Sequence, residues 1–228
     1  MIVVTFAVRQ EGAIFERRLS KRTRDGNRVT GRLGSRDVTI YWLGIGVEDR
    51  LGFRRMIEEM RPRCVIDSGF AGAIRTLLEP GDFVLANNSA AETLTIREGL
   101  CAAKGRIVQV PAVLDPPGKA RIRRENAEAL AVDMESDVAA AICKEFQIPF
   151  LTARMISDRY DEGIPGIFLG RGMRSFRDFA DAVRFASRML SLRVKLAEKL
   201  EELIDGFGGH APTFIDRNPF EESQTNTG

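Results

Sequence analysis

Residues 64–73 read Cys-Val-Ile-Asp-Ser-Gly-Phe-Ala-Gly-Ala, a short apolar run that gives way to a cluster of small residues. Cys64–Asp67 lacks the alternation of a half-exposed strand and instead resembles a strand covered on both faces. The small residues from Ser68 to Ala73 follow at its carboxyl end, where open α/β sheets leave a crevice for ligands. Close helix–strand packing explains the same glycines equally well, so both readings stand.

Working outward, similar runs rich in β-branched residues recur at Ile2–Val8, Val38–Leu43, Asp82–Ala86, Arg106–Val110, Leu130–Met134 and Phe150–Ile156. Segments of helical period lie between them, at Arg50–Met60 and Glu135–Phe146. The longest runs from Ser175 to Asp205, where Phe176, Phe179, Ala180, Val183, Ala186, Leu190, Val194, Ala197, Leu200 and Ile204 predict one apolar face. Ser175 and Asp178 supply its start and Gly206 its stop. Strands alternating with helices predict an α/β fold with a largely parallel sheet. One domain is expected over residues 1–205, followed by a polar tail, 206–228. Asp115–Gly118, Asp-Pro-Pro-Gly, reads as a turn or loop.

The 228 residues carry 34 Lys+Arg against 32 Asp+Glu, a net charge of +2, so no overall basic field points to nucleic acid. Cys64, Cys101 and Cys143 are too far apart in sequence for a disulfide framework or a local zinc spacing, and the single histidine, His210, sits in the tail. The first apolar run is too short for a signal peptide, and none approaches the ~20 residues of a membrane span. A reduced, cytoplasmic protein is expected, with no membrane span.

Chemistry has five candidate places. Leu43-Gly-Ile-Gly46 ends a strand ahead of a helix, but Glu48-Asp49-Arg50 supplies no third glycine for a dinucleotide fingerprint. The small-residue cluster after Asp67 is the second. Val132-Asp-Met-Glu-Ser136 places carboxylates where a strand ends and a helix starts; one could accept two hydrogen bonds from a vicinal diol, or merely cap the helix. Ile156-Ser-Asp158 ends an apolar strand with an acid suited to general acid work if burial raises its pKa, with Arg159 beside it. Glu11 lies just beyond the first strand. Glu11, Glu135 and Asp158, at the ends of three strands, can meet at one sheet edge.

The order and spacing of Ala7–Glu11, Leu43–Gly46, Val65–Gly81, Ala131–Ala141 and Pro149–Asp158 resemble the purine nucleoside phosphorylase/nucleosidase superfamily. The nearest likeness is to 5′-methylthioadenosine/S-adenosylhomocysteine nucleosidases, carried by the AVDMES and ARMISD stretches after the Gly-rich segment. The AVDMES wording is also similar to that of nucleosidases associated with hopanoid-lipid synthesis. The resemblance implies a single α/β domain with a twisted mixed β-sheet flanked by helices, a homo-oligomer, a small nucleoside substrate, and neither metal nor cofactor. It implies that Asp158 protonates or hydrogen-bonds N7 of a departing purine, with Ser157 beside it. Glu135 would hold the ribose hydroxyls, Met134 pack on the sugar and Glu11 activate water, while Gly72 lies in the substrate crevice.

Three positions depart from the pattern. Asp67 stands where phosphorylases of the superfamily usually carry a phosphate-gripping arginine, and Phe70 where a small hydroxyl residue is usual; both disfavour phosphate as nucleophile. Val113 falls where an aromatic ring commonly stacks on the purine, a loss that Phe70 would have to offset. The expected activity is hydrolysis of a purine nucleoside, an adenine nucleoside with a 5′ substituent. A phosphate-dependent phosphorylase and a non-catalytic nucleoside-binding protein that keeps the fold are the alternatives.

Overall fold

The computed structural model describes residues 1–86, 100–169 and 176–207. In chain order the elements are β1 (Ile2–Phe6), α1 (Arg9–Arg18), β2 (Ser20–Asp25), β3 (Arg28–Leu33), β4 (Arg36–Trp42), α2 (Arg50–Met60), β5 (Cys64–Ala73) and β6 (Phe83–Ala86). There follow β7 (Ala103–Lys104), β8 (Arg106–Gln109), α3 (Pro116–Glu125), β9 (Ala129–Asp133), α4 (Ser136–Glu145), β10 (Phe150–Asp158) and α5 (Phe176–Gly206).

Every residue of β1 is buried because the strand lies inside the sheet with a helical layer on each face. Ile2, Val4 and Phe6 point into the core shared with α1 and α5, whereas Val3 points to the core shared with α2 and α4. This period-two division explains why the run shows no polar alternation. The strands form one sheet in the order β2-β3-β4-β1-β5-β10-β6-β7, with β9 joining β5 to β8. β4, β1, β5 and β10 are mutually parallel, while the β2–β3–β4 pairings, β10–β6 and β5–β9 are antiparallel. The sheet is therefore mixed. Among the described residues no helix is long and apolar enough to cross a membrane.

Several boundaries differ from expectation. The Ser68–Ala73 cluster continues β5 instead of ending it, so its small residues pair with β10 and β9. Asp115–Gly118 opens α3: Asp115 is the N-cap, its carboxylate accepting from Gly118 N at 2.9 Å, with prolines in the first turn. The buried row of α5 departs from the predicted stripe as far as Val194. Ala182, Phe185, Leu192 and Leu196 are buried, whereas Phe179, Val183, Leu190 and Val194 are exposed. The helix carries two apolar rows, and packing on the sheet selects one. Ser175, His210 and most of the predicted tail lie outside the described residues.

Candidate functional site

The carboxyl ends of β1, β5, β9 and β10 surround a cavity of about 230 Å³. Its wall includes all eight expected residues: Glu11, Phe70, Gly72, Val113, Met134, Glu135, Ser157 and Asp158. Aliphatic side chains from Ile45, Val110, Leu114, Val132 and Ile164 supply much of the remaining surface.

Glu11 reaches the cavity because Val8 leaves β1 extended and caps α1, placing Glu11 at the third helical position, where it accepts from Val8 N at 3.4 Å. Gly69, at φ +149°, makes room on β5: a Cβ there would lie 3.2 Å from Glu11 Oε2. Burial raises the Glu11 pKa to about 7, opposed by the Arg154 charge and reinforced by Glu135 and Asp67.

The acidic turn after β9 divides its two carboxylates. Asp133 accepts from Ser136 Oγ at 2.8 Å and Ser136 N at 3.4 Å, tying down the α4 start. Glu135 makes no cap bond. Its Oε1 accepts from Gly46 N at 3.1 Å and its Oε2 from Met134 N at 3.3 Å, with burial pushing its pKa upward against the pull of Arg154. Leu43–Gly46 is therefore neither a dinucleotide loop nor a bare turn, since its backbone orients a cavity carboxylate.

Beneath these groups lies Arg154, a buried residue of β10 that the sequence reading left unassigned. Its guanidinium contacts Asp67 Oδ2 at 2.5 Å and Asp133 Oδ2 at 2.8 Å, and stands 4.0 Å from Glu135 Oε2. Asp67 also accepts from Thr5 Oγ1 at 2.7 Å. The expectation that Asp67 meets an incoming anion directly is thus corrected: it is fully buried in the sheet and absent from the cavity wall. An arginine placed there would meet Arg154, not phosphate. Arg9 reaches outward to Gly26 O at 3.4 Å and does not line the cavity either.

Asp158 ends β10, where a register irregularity between Ile156 and Asp158 turns the strand's last side chain into the cavity. Oδ1 accepts from Ser157 Oγ at 2.5 Å, and Oδ2 accepts from the ammonium of Lys119, a residue the sequence reading missed. Its signal was the Asp115-Pro-Pro helix start, which sets Lys119 in the first turn of α3. Arg159 turns away, its side chain pairing with Asp161 at 3.1 Å and Glu79 at 3.6 Å. The cavity thus brings together a raised carboxyl at Glu11, a backbone-anchored carboxylate at Glu135 and an ion-paired one at Asp158.

Comparison with solved structures shows this same fold in nucleosidases. A 5′-methylthioadenosine/S-adenosylhomocysteine nucleosidase from Colwellia psychrerythraea 34H, in complex with adenine, superimposes with a TM-score of 0.69 at 18% identity, covering 93% of this chain and 97% of that one. The S-adenosylhomocysteine nucleosidase of Streptococcus pyogenes, in complex with 5-methylthiotubericidin, gives 0.70 at 16% identity, covering 91% and 97%. A futalosine hydrolase mutant from Helicobacter pylori gives 0.66 at 18% identity, covering 90% and 98%. The family model described as the phosphorylase superfamily matches residues 5–125 and 88–192, and the chain belongs to that superfamily.

Proposed function

We propose that this protein hydrolyses the N-glycosidic bond of a purine nucleoside, an adenine nucleoside carrying a 5′ substituent, and releases the free base. The observation that carries the reading is the convergence of Glu11, Glu135 and Asp158 on one largely aliphatic cavity, each in a different electrostatic setting. Glu11, with a pKa near neutrality, takes a proton from the attacking water. Glu135, oriented by Gly46 N and Met134 N, receives the ribose hydroxyls, and its negative charge stabilises the oxocarbenium character that develops on the sugar. Met134 packs on the ribose. Asp158 serves the departing purine at N7, with Ser157 holding its other oxygen.

Water is favoured over phosphate by the charge balance around the nucleophile. Arg154 is shared among Asp67, Asp133 and Glu135, so carboxylates outnumber the cation next to Glu11. A phosphate dianion entering there meets net repulsion, and Phe70 offers it no hydroxyl. The adenine-bound and methylthio-ligand-bound neighbours support an adenine nucleoside as substrate. The proposal includes a homo-oligomer, because Ile45 and Val113 at the cavity are 52% and 40% exposed, apolar surface that a second copy would cover.

The test is free-base release from 5′-methylthioadenosine, S-adenosylhomocysteine, adenosine and inosine, with and without phosphate. Release independent of phosphate is expected, highest for a 5′-substituted adenosine. Release only with phosphate would make the protein a phosphorylase. Binding without release across the panel would favour a non-catalytic nucleoside-binding protein.

A further inference from the structure

Lys119 occupies a place where packing calls for an apolar residue. Leu114 and Ile122 of the same segment join an aliphatic cluster with Val110 and Val132, yet the Lys119 side chain is 2% exposed beside an Asp158 side chain that is 3% exposed. Burying an ammonium is costly unless each of its protons finds an acceptor. Here each does: Nζ donates to Asp158 Oδ2, to Arg159 O at 2.5 Å and to Glu162 O at 2.8 Å. The helix start holds the residue in place, with Lys119 N donating to Asp115 O at 2.9 Å. Both Lys119 and Asp158 line the cavity.

We infer that Lys119 is the proton-holding partner of Asp158, so that the pair acts as one acid toward the departing purine. This rests on the hydrolytic reading above. As the C1′–N9 bond breaks, its electron pair moves into the purine ring. N7 takes a proton through the Asp158 carboxyl, and Lys119 Nζ supplies that proton to Oδ2. Lys119 becomes a neutral amine whose two remaining N–H groups keep the Arg159 and Glu162 carbonyls, so the side chain is held in either protonation state. Water bonds to C1′ and gives its proton to Glu11, and solvent returns one proton from Glu11 to Lys119. The products are the free sugar and the neutral base. Lys119 acts through Asp158 and is a positioning residue in this scheme.

The experiment compares two leaving groups in wild type and Lys119→Met. A purine nucleoside needs a proton on its base to depart, whereas p-nitrophenyl riboside releases a stable phenolate without one. Lys119→Met is expected to lower kcat/KM for the purine nucleoside by at least ~10²-fold while changing the nitrophenyl riboside by less than about threefold. The second substrate also reports that the site is folded. Equal losses on both substrates in a protein with native near-ultraviolet circular dichroism, or no loss on the purine, would overturn the inference while leaving the hydrolytic reading intact. If Lys119→Met does not fold, Lys119→Gln, which keeps a donor toward Asp158, is read by the same comparison. A wild-type protein that releases no purine overturns the hydrolytic reading and this inference with it.

Discussion

Arg154 and Lys119 are both almost wholly buried and each touches a carboxylate at the cavity, but the two ends of the site treat charge in opposite ways. Arg154 is divided among Asp67, Asp133 and the more distant Glu135, so negative charge is in excess there. With burial added, Glu11, Asp67 and Glu135 all have raised pKa values. Lys119 faces one carboxylate and two neutral carbonyls, a balanced pair. One end is suited to a carboxyl that takes up a proton near neutral pH, the other to a lysine–carboxylate pair held in one geometry with its proton between them. The difference assigns the water side to Glu11 and the base side to Asp158.

The sharpest way to break this contrast is to neutralise each carboxylate. Glu11→Gln and Asp158→Asn should each lower kcat for purine release by about 10²- to 10⁴-fold in a folded protein. A wild-type rate in either variant removes that residue from the chemistry. Arg154→Met should act on stability as well, since it strands Asp67 and Asp133 in the core; a loss of about 3–5 kcal/mol in urea unfolding is expected. The exposed Arg159→Ala should stay within about 0.5 kcal/mol of wild type.

The pH dependence sharpens the comparison further. Glu11 must be ionised to accept a proton, so kcat/KM should rise with pH up to about 7 and then level off. Because Glu135 adds negative charge beside it, Glu135→Gln should move that rising limb to lower pH. For stability the sign is reversed. The fold favours protonated Glu11, so its contribution is complete below the carboxyl's usual range and is lost as pH rises to about 7. Chemical denaturation at pH 5 and 8 measures it. The smallest effect is expected at Val113, where phenylalanine would add a ring to the cavity wall; calorimetry should show adenine binding about two- to tenfold tighter.

The main site residues were legible because their chemistry is local. Glu11, Glu135 and Asp158 lie at or within a few residues of the carboxyl ends of the apolar strands β1, β9 and β10, and the fold gathers those ends around one crevice. The capping alternative at Asp133 and Glu135 was undecidable from sequence, since both types cap helices. In the structure Glu135 holds the N-cap position without a side-chain cap bond, and of the two carboxylates Asp133 is the one that bonds the helix start, at Ser136. Arg154 lay in plain view within ARMISD, but an arginine inside an apolar strand is interpretable only when Asp67, 87 residues away, is seen against it. Asp67 was misread for the same reason.

The alternation of buried strands with helices and the three carboxylates near the sheet edge were set by the chain's own patterns of apolar runs, glycines and strand-end acids. Local burial and turn chemistry suffice to write those patterns. The exposed, charged β2 carries no such pattern, and the mixed character of the sheet was implied only by the family resemblance. Which apolar row of α5 faces the sheet, that Asp67 turns inward, and that Lys119 rather than Arg159 holds Asp158 were decided by the tertiary structure. These depend on contacts between groups far apart in sequence, where the cost of burying a charge is set by whichever partner the fold brings near.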